Sequence, residues 1–188
     1  IMTCLAFTPD VAQEAIDRQA GLVVTHHPIL FRAVKRLTAD TVEGRMLLKL
    51  IRAGVAVYSP HTAFDNGSGG INQWLAERCQ LVNITPLRPD AEEPAMGSGR
   101  QGELPKPLPW QQFLQHVSAG MHTGPFQCVG REEFTIRRVG IACGAAAEFL
   151  GDAHRAGCDA FITGEARFHA CLEARALGIG LVLLGHYA

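Results

Sequence analysis

Four times along the chain, an amphipathic stretch that ends in glycine is followed by a short apolar run and then by a polar or ionisable cluster. The helical period before each glycine and the strand-sized apolar runs after it predict repeated helix–strand pairs. The first helix is predicted to begin at Thr8 and Pro9, which suit an N-cap and a first helical turn, and to end at Gly21. This alternation of helices and strands predicts an α/β fold.

Each predicted strand leads into its own cluster. The four pairs are Leu22–Val24 with Thr25-His26-His27-Pro28, Val55–Tyr58 with Ser59-Pro60-His61 and then Asp65, Ala160–Ile162 with Thr163-Gly164-Glu165, and Leu181–Leu184 with Gly185-His186-Tyr187. Ligands of parallel sheets bind beyond the carboxyl ends of the strands, so all four clusters are expected at a ligand-binding edge.

The composition changes over residues 86–109, which are rich in proline and glycine. Proline fixes φ and lacks a backbone donor, so this density predicts neither a helix nor a central strand. We interpret 86–109 as a linker between an N-terminal α/β half, residues 1–85, and a C-terminal α/β half, residues 110–188.

Composition excludes several classes of protein. The 17 Lys and Arg against 18 Asp and Glu give a formal charge of −1, which supplies no basic surface for nucleic acid. No apolar run approaches the roughly 20 residues that span a bilayer, so no membrane partner is expected. Six scattered cysteines without a C-x-x-C pair are typical of reduced, cytoplasmic thiols. The outlier is histidine, with eight residues.

His26 and His27 are the first candidates for chemistry. Neutral imidazole is the commonest metal ligand, and two adjacent rings at the break of a strand can turn toward one site. A hydrogen-bonded loop pair is the alternative interpretation. Asp65 would supply the bridging carboxylate that a histidine pair lacks, although an Asp before Asn66-Gly67 is also typical of a turn.

Glu165 and His169 lie four residues apart at the start of a predicted helix, a spacing that puts both on one helix face. We interpret them as general acid and base groups, or as residues that support ligands, and not as direct ligands. The alternative interpretation is that Glu165 only interacts with the positive end of the helix dipole and that His169 is a surface residue. His186 ends a predicted buried strand and completes the candidates.

Two other motifs are set aside. Residues 97–102 match G-x-G-x-x-G, but the prolines around them exclude the strand and helix that a dinucleotide-binding loop requires. The Cys143-Gly144 turn could offer amides to an anion, although a tight turn beside a buried cysteine is the simpler interpretation. The chain contains neither a P-loop nor a G-x-S-x-G nucleophile elbow.

Five segments in order carry a resemblance to a known family: Val23–Phe31, His61–Asn66 with Gly69–Asn72, Gly99–Pro105, Ile162–Glu165 and Gly185–Tyr187. Together they resemble the NIF-three-like family, whose members are widely named GTP cyclohydrolase I type 2 homologues. The match is to the short bacterial form, without a domain inserted between the halves.

The resemblance implies two α/β halves with mostly parallel sheets packed around a central dinuclear metal site, and a usually hexameric, ring-shaped homo-oligomer. It makes His26, His27, Asp65 and His186 metal ligands. The family's remaining ligand, a Glu four residues after the last His, would fall at position 190, and its opening Trp-Asp-Asn segment would precede Ile1. We therefore expect a trimmed chain.

These observations predict a metal-dependent hydrolase that holds two divalent ions, either Zn, Fe or Mn. Asp65 would bridge two ions about 3.5–4 Å apart, His26, His27 and His186 would complete their coordination, and Glu165 or His169 would move protons. The resemblance implies a purine nucleotide as substrate. The alternatives are a non-catalytic, metal-bound ring scaffold that binds a protein or small molecule, and a single structural zinc site.

Overall fold

The structure, a computed structural model, describes residues 1–122 and 124–186. Tyr187, in the last predicted cluster, lies outside the described residues. The chain divides into two compact units between residues 63 and 64. This division differs from the predicted halves, because residues 64–85 and the predicted linker 86–109 belong to the same unit as residues 110–188.

The first unit is a β-α-β-α-β arrangement. Its elements are β1 (Met2–Cys4), α1 (Pro9–Asp17), β2 (Leu22–Thr25), α2 (Val42–Ala53) and β3 (Ala56–Tyr58). The strands form one fully parallel sheet in the order β1-β2-β3. Thr8 caps α1 as predicted, accepting a hydrogen bond from the Val11 amide. Both helices pack their apolar faces on Val23 of the central strand.

The second unit is built on a six-stranded mixed sheet. Its elements are α3 (His61–Asn66, which begins in the first unit), α4 (Ile71–Arg78), β4 (Val82–Thr85), β5 (Arg88–Pro89), β6 (Gly97–Ser98), β7 (Arg100–Pro109), α5 (Trp110–Met121), β8 (Gln127–Val129), β9 (Thr135–Ala142), α6 (Leu150–Arg155, after a 3-10 turn at Ala147–Phe149), β10 (Ala160–Thr163), α7 (Phe168–Leu177) and β11 (Gly180–Leu183). The strand order is β4-β7-β9-β10-β11-β8, with β5 and β6 paired separately.

Strand direction in this sheet follows from the ladders. Strands β9, β10 and β11 are parallel neighbours, whereas β7 is antiparallel to both β9 and β4, and β8 is antiparallel to β11. Four of the six strands therefore run in one direction. Every residue of β10 and β11 is buried, which is the pattern of parallel strands covered by helices on both faces. The predicted α/β fold, with mostly parallel strands, is confirmed.

The prediction that residues 86–109 contain no central strand was wrong, because they include the ten-residue strand β7 in the interior of the sheet. Residues 100–103 of β7 pair with β9 in one register, and Leu108 and Pro109 resume pairing after a shift. Pro105 and Pro107 fall inside that irregular stretch and are exposed. Prolines are tolerated at such a bulge because no ladder hydrogen bond is required of them there.

Glycine ends three of the four repeated helices as predicted. Gly54, Gly157 and Gly178 adopt left-handed φ values of 68°, 72° and 70° after α2, α6 and α7. The first helix differs, because α1 ends at Asp17 and Gln19, at φ 51°, takes the left-handed position expected of Gly21. None of the helices in the described residues is long and apolar enough to cross a bilayer.

Candidate functional site

Three imidazoles cluster at the carboxyl ends of β2 and β3 in the first unit. His26 and His27 directly follow β2, and His61 follows β3 after two residues. The ring centroids are 5.0 Å apart for His26 and His27, 5.5 Å for His26 and His61, and 6.0 Å for His27 and His61. All three side chains are half-buried. The predicted convergence of polar side chains at this edge is confirmed for these residues.

The backbone that carries the histidine pair is held by side-chain hydroxyls. Ser59 Oγ, after β3, donates to the His26 carbonyl at 2.9 Å. The hydroxyl of the fully buried Thr25 donates toward the carbonyls of Leu5 and His27, at 3.3 and 3.2 Å. The His27 amide donates to the Leu5 carbonyl at 2.9 Å, which extends the contact between β1 and β2 past the strand ends.

The chemistry and spacing of this cluster suit a metal ion. Two imidazoles on one tetrahedral ion, each about 2.1 Å from it, place their ring centres roughly 5 Å apart. Among residues 1–122 and 124–186, no group of three or more His, Cys, Asp or Glu side chains is arranged so that it could hold a metal ion as it stands. The rings therefore fit a metal in donor type and pairwise spacing, without forming a finished coordination sphere.

His61 carries a second sign of a specialised position. It adopts φ 41°, a left-handed conformation that costs energy in a residue other than glycine. Such conformations concentrate at functional sites. Sequence reasoning placed His61 near the site without assigning it as a ligand. Its position in the polar cluster that follows β3, which corresponds to the cluster of His26 and His27 after β2, was the signal available.

Asp65 lies in the second unit, near the end of α3, and is 8% exposed. The sequence predicted that a loop begins at this residue, whereas the structure places it inside a helix. The Cys143 thiol faces the same carboxylate. Burial, the Asp65 charge and a hydrogen bond from the thiol to that carboxylate raise the pKa of Cys143 to about 12.

Two side-chain amides brace the segment after Asp65. Asn66 Oδ1 accepts hydrogen bonds from Asn72 Nδ2 at 2.9 Å and from the Gly99 amide at 3.0 Å. Asn72 Oδ1 in turn accepts from the Cys143 amide at 2.7 Å. The Cys143 N–H is thereby used within the protein, which excludes it as the anion donor considered from the sequence.

Glycine-bearing loops after β9, β10 and β11 are hydrogen-bonded to one another. The Gly144 carbonyl accepts from the amides of Gly164 and Glu165, at 2.9 and 3.1 Å, and the Gly185 amide donates to the Gly164 carbonyl at 2.9 Å. A Cβ on Gly164 would lie 2.7 Å from the Gly144 carbonyl oxygen, so this position admits only glycine. The close approach places Glu165 and His186 at neighbouring strand ends.

The structure brings Glu165 and His186 together, with Glu165 Oε1 3.5 Å from His186 Nδ1. Glu165 is not on a helix, because α7 begins at Phe168, so the argument that Glu165 and His169 share a helix face is wrong. His169 is exposed at the start of α7, with its ring 5.9 Å from that of Phe168. Direct proton transfer needs a heavy-atom distance of about 2.6–3.2 Å, so these two groups would exchange a proton after a closer approach or through one water molecule.

A family model described as Duf34/NIF3 (NGG1p interacting factor 3) matches residues 1–188. The chain is 30% identical over 192 residues to the GTP cyclohydrolase 1 type 2 homolog of Clostridium perfringens, covering 100% of this chain and 71% of that protein. It is 32% identical over 183 residues to NIF3-like protein 1 of Drosophila melanogaster, covering 95% of this chain and 61% of that protein.

Solved structures share the fold. A Bacillus cereus protein related to NIF3 superposes with a TM-score of 0.84 at 20% identity, covering 98% of this chain and 78% of that one. Staphylococcus aureus protein SA1388 gives a TM-score of 0.81 at 23% identity, covering 99% and 74% of the two chains.

Proposed function

Because the chain belongs to the Duf34/NIF3 family, we propose that it is a metal-dependent hydrolase with a dinuclear site. The observation that carries this proposal is the cluster of His26, His27 and His61 at the carboxyl ends of two parallel strands. Three half-buried imidazoles at a ligand-binding edge are a donor set for Zn, Fe or Mn.

The proposed ligands are His26, His27, Asp65 and His186, to which the ring spacing adds His61. Two ions held there would polarise the substrate group under attack and lower the pKa of a bound water molecule. Asp65 offers two carboxylate oxygens and is the one acidic group among these residues, which suits it to bridge two ions. Its burial keeps the carboxylate from moving into solvent.

Glu165 is proposed to orient His186 and to move protons. Its carboxylate oxygen lies 3.5 Å from His186 Nδ1, so the contact favours the tautomer with its proton on Nδ1, which leaves the lone pair of Nε2 for a metal ion. Glu165 is 57% exposed and can exchange a proton with a substrate or with solvent. His169, exposed on α7, is proposed as a second proton carrier.

The proposed substrate is a purine nucleotide, on the support of relatives named GTP cyclohydrolase 1 type 2 homolog at about 30% identity. We also propose a hexameric, ring-shaped homo-oligomer in the cytoplasm. The six cysteines are free, as thiols are in a reducing compartment.

Metal content tests the proposal directly. Full chain purified without chelator is expected to hold two metal ions, measured by inductively coupled plasma mass spectrometry and located by anomalous scattering. His26→Ala and His27→Ala are expected to lose metal, because each removes an imidazole from the cluster. His154→Ala is the matched control, because His154 is exposed on α6, in the other unit. Unchanged metal content in the first two variants would contradict the proposal.

Turnover separates a hydrolase from its alternatives. With metal bound, Glu165→Gln is expected to retain the metal and to lose hydrolysis of GTP or of a phosphoester panel. If the unaltered chain holds metal but hydrolyses none of these compounds, the result would favour a non-catalytic, metal-bound scaffold. One ion per chain whose removal unfolds the protein would favour a structural zinc site.

A further inference from the structure

Arg100, at the start of β7, is 4% exposed and has every donor satisfied. Its Nε donates to Gln73 Oε1 at 3.1 Å, and Nη1 donates to the carbonyls of Gly97 and Gly99 at 3.0 and 2.7 Å. Nη2 donates to the carbonyls of Asn66 and Gly67 at 2.9 and 3.3 Å. A guanidinium has five N–H donors, and five oxygens receive them.

This arrangement excludes a ligand-binding role for Arg100. The residue borders a cavity of about 350 Å³ that is also lined by Ser68, Gln73 and Trp74. A guanidinium that served an anion there would keep donors available, whereas all five are already engaged within the protein. None of the five acceptors is a carboxylate, so the arginine is not held as an ion pair either.

The acceptors show what the side chain connects. Two carbonyls belong to residues 66 and 67, at the end of α3, and two belong to residues 97 and 99, beside β6 and β7. The planar fork of arginine reaches both segments at once, which the three donors of a lysine ammonium cannot reproduce. Arg100 therefore ties the backbone directly after Asp65 to the sheet.

A second, independent contact holds the same segment. The side chain of Asn66 accepts a hydrogen bond from the Gly99 amide, so this peptide is anchored to the start of β7 by backbone and side chain alike. At the other end of the loop, a Cβ on Gly70 would lie 2.0 Å from the Phe64 carbonyl oxygen. The loop thus closes tightly on the residue that precedes Asp65.

We propose that Arg100 is a positioning residue that fixes the peptide at 66–67 and, through it, the direction of the Asp65 carboxylate. The inference rests on the proposed metal site, in which Asp65 bridges two ions. A bridging carboxylate must be held within a narrow range of positions, and residues that orient ligands typically change metal affinity about 10- to 100-fold when mutated.

The test compares Arg100→Lys with Arg78→Lys in the full chain. Arg78 is the matched control, because its Nε donates to the Gly120 carbonyl at 2.7 Å and its guanidinium stacks 4.6 Å from the Trp74 ring, within the same unit. Hydrogen exchange of residues 64–70 is measured on the metal-free protein. Metal affinity is measured by titration with Co²⁺, whose visible spectrum reports the geometry of its ligands.

Arg100→Lys is expected to accelerate exchange across 64–70 by about tenfold or more, to weaken Co²⁺ binding about 10- to 100-fold and to alter the Co²⁺ spectrum. Arg78→Lys is expected to leave all three unchanged. Gln73→Ala, which removes one of the five acceptors, is the milder variant in case Arg100→Lys does not fold, with an expected change of about threefold in each measurement.

The outcomes are separable. Unchanged exchange over 64–70 in both Arg100→Lys and Gln73→Ala would overturn the inference, as would faster exchange with unchanged Co²⁺ affinity and spectrum. If the unaltered chain binds no Co²⁺, the proposed function fails together with the claim that Arg100 serves a metal site. The exchange data then still report whether Arg100 fixes the Asp65 segment.

Discussion

The two units present their candidate ligands in different ways. In the first unit, three half-buried imidazoles lie shortly after the strand ends, and the backbone of His26 and His27 is held by the hydroxyls of Thr25 and Ser59. In the second unit, Asp65 is 8% exposed and is followed by a segment fixed by Asn66, Asn72 and Arg100.

The difference follows from charge. A neutral imidazole loses little on partial burial, so its position can be set by a few hydrogen bonds to the backbone. A buried carboxylate is costly unless the surrounding structure compensates for its lost hydration. The Asp65 carboxylate therefore requires a larger supporting network than the histidines, and that network should be the more sensitive to mutation.

Gly70→Ala should have the largest effect on stability. The new Cβ would lie 2.0 Å from the Phe64 carbonyl oxygen, a contact that only backbone movement can relieve. We expect a loss of about 3 kcal/mol in the free energy of unfolding, the upper end for overpacking. Gly54→Ala is the control in the first unit, because Gly54 has φ 68° with nothing within 4 Å of the added Cβ.

Left-handed strain alone should cost Gly54→Ala about 1–2 kcal/mol. Urea unfolding of both variants makes the measurement. Equal losses in the two would mean that the loop after Asp65 is no more tightly packed than an ordinary helix end.

The next largest effect is expected at alkaline pH, which should destabilise the second unit. Burial raises the pKa of Cys79 and of Cys158 from 9.0 to about 12. Above pH 9 the unfolded chain releases these protons while the folded chain keeps them, so stability present below pH 9 is lost as pH rises toward 12. The expected slope is about 1.4 kcal/mol per pH unit for each thiol.

Urea unfolding between pH 8 and pH 10.5 measures this slope. The double variant Cys79→Ala with Cys158→Ala should unfold with a flatter pH dependence than the unaltered chain, because two of the three thiols whose pKa is raised to about 12 are gone and only Cys143 remains. An identical dependence would show that these thiols ionise as readily in the folded unit as in the unfolded chain.

Ser59→Ala should have the smallest effect, about 1 kcal/mol, because it removes one hydrogen bond to the His26 carbonyl. Ser59→Thr keeps the hydroxyl and should restore most of that loss. Thermal unfolding of the two variants makes the comparison. A cost equal to that of Gly70→Ala would remove the proposed contrast between the two units.

Much of the fold was predictable because its signals are local. Glycines after α2, α6 and α7 and apolar runs of four residues mark the helix ends and buried strands whatever lies elsewhere in the chain. Strand β7 was missed because its prolines outweighed a weaker signal. Arg100, Gly102 and Leu104 are buried at every second position, but only Leu104 has an apolar side chain, so the sequence carries little of this period of two.

The candidate site was predictable only in part. His26 and His27 directly follow β2, and His186 comes three residues after the end of β11, where a sequence pattern can find them, whereas their role as metal ligands stays a prediction. The contacts of Arg100 were not readable, because four of its five partners are backbone carbonyls, two of them from the distant residues 66 and 67. Every residue has a backbone carbonyl, so a contact with a carbonyl leaves no pattern of residue types in the sequence.

The glycine-bearing loops after β9, β10 and β11 also limit how this edge can diversify. Gly164 lies against the carbonyls of Gly144 and Gly185, so a side chain there would separate the strand ends. Substitutions at this edge are therefore expected to be tolerated at Glu165 and His186 and not at Gly164. The hydrogen bonds among the three loops involve backbone atoms, so they keep positions 165 and 186 side by side whichever side chains these positions carry.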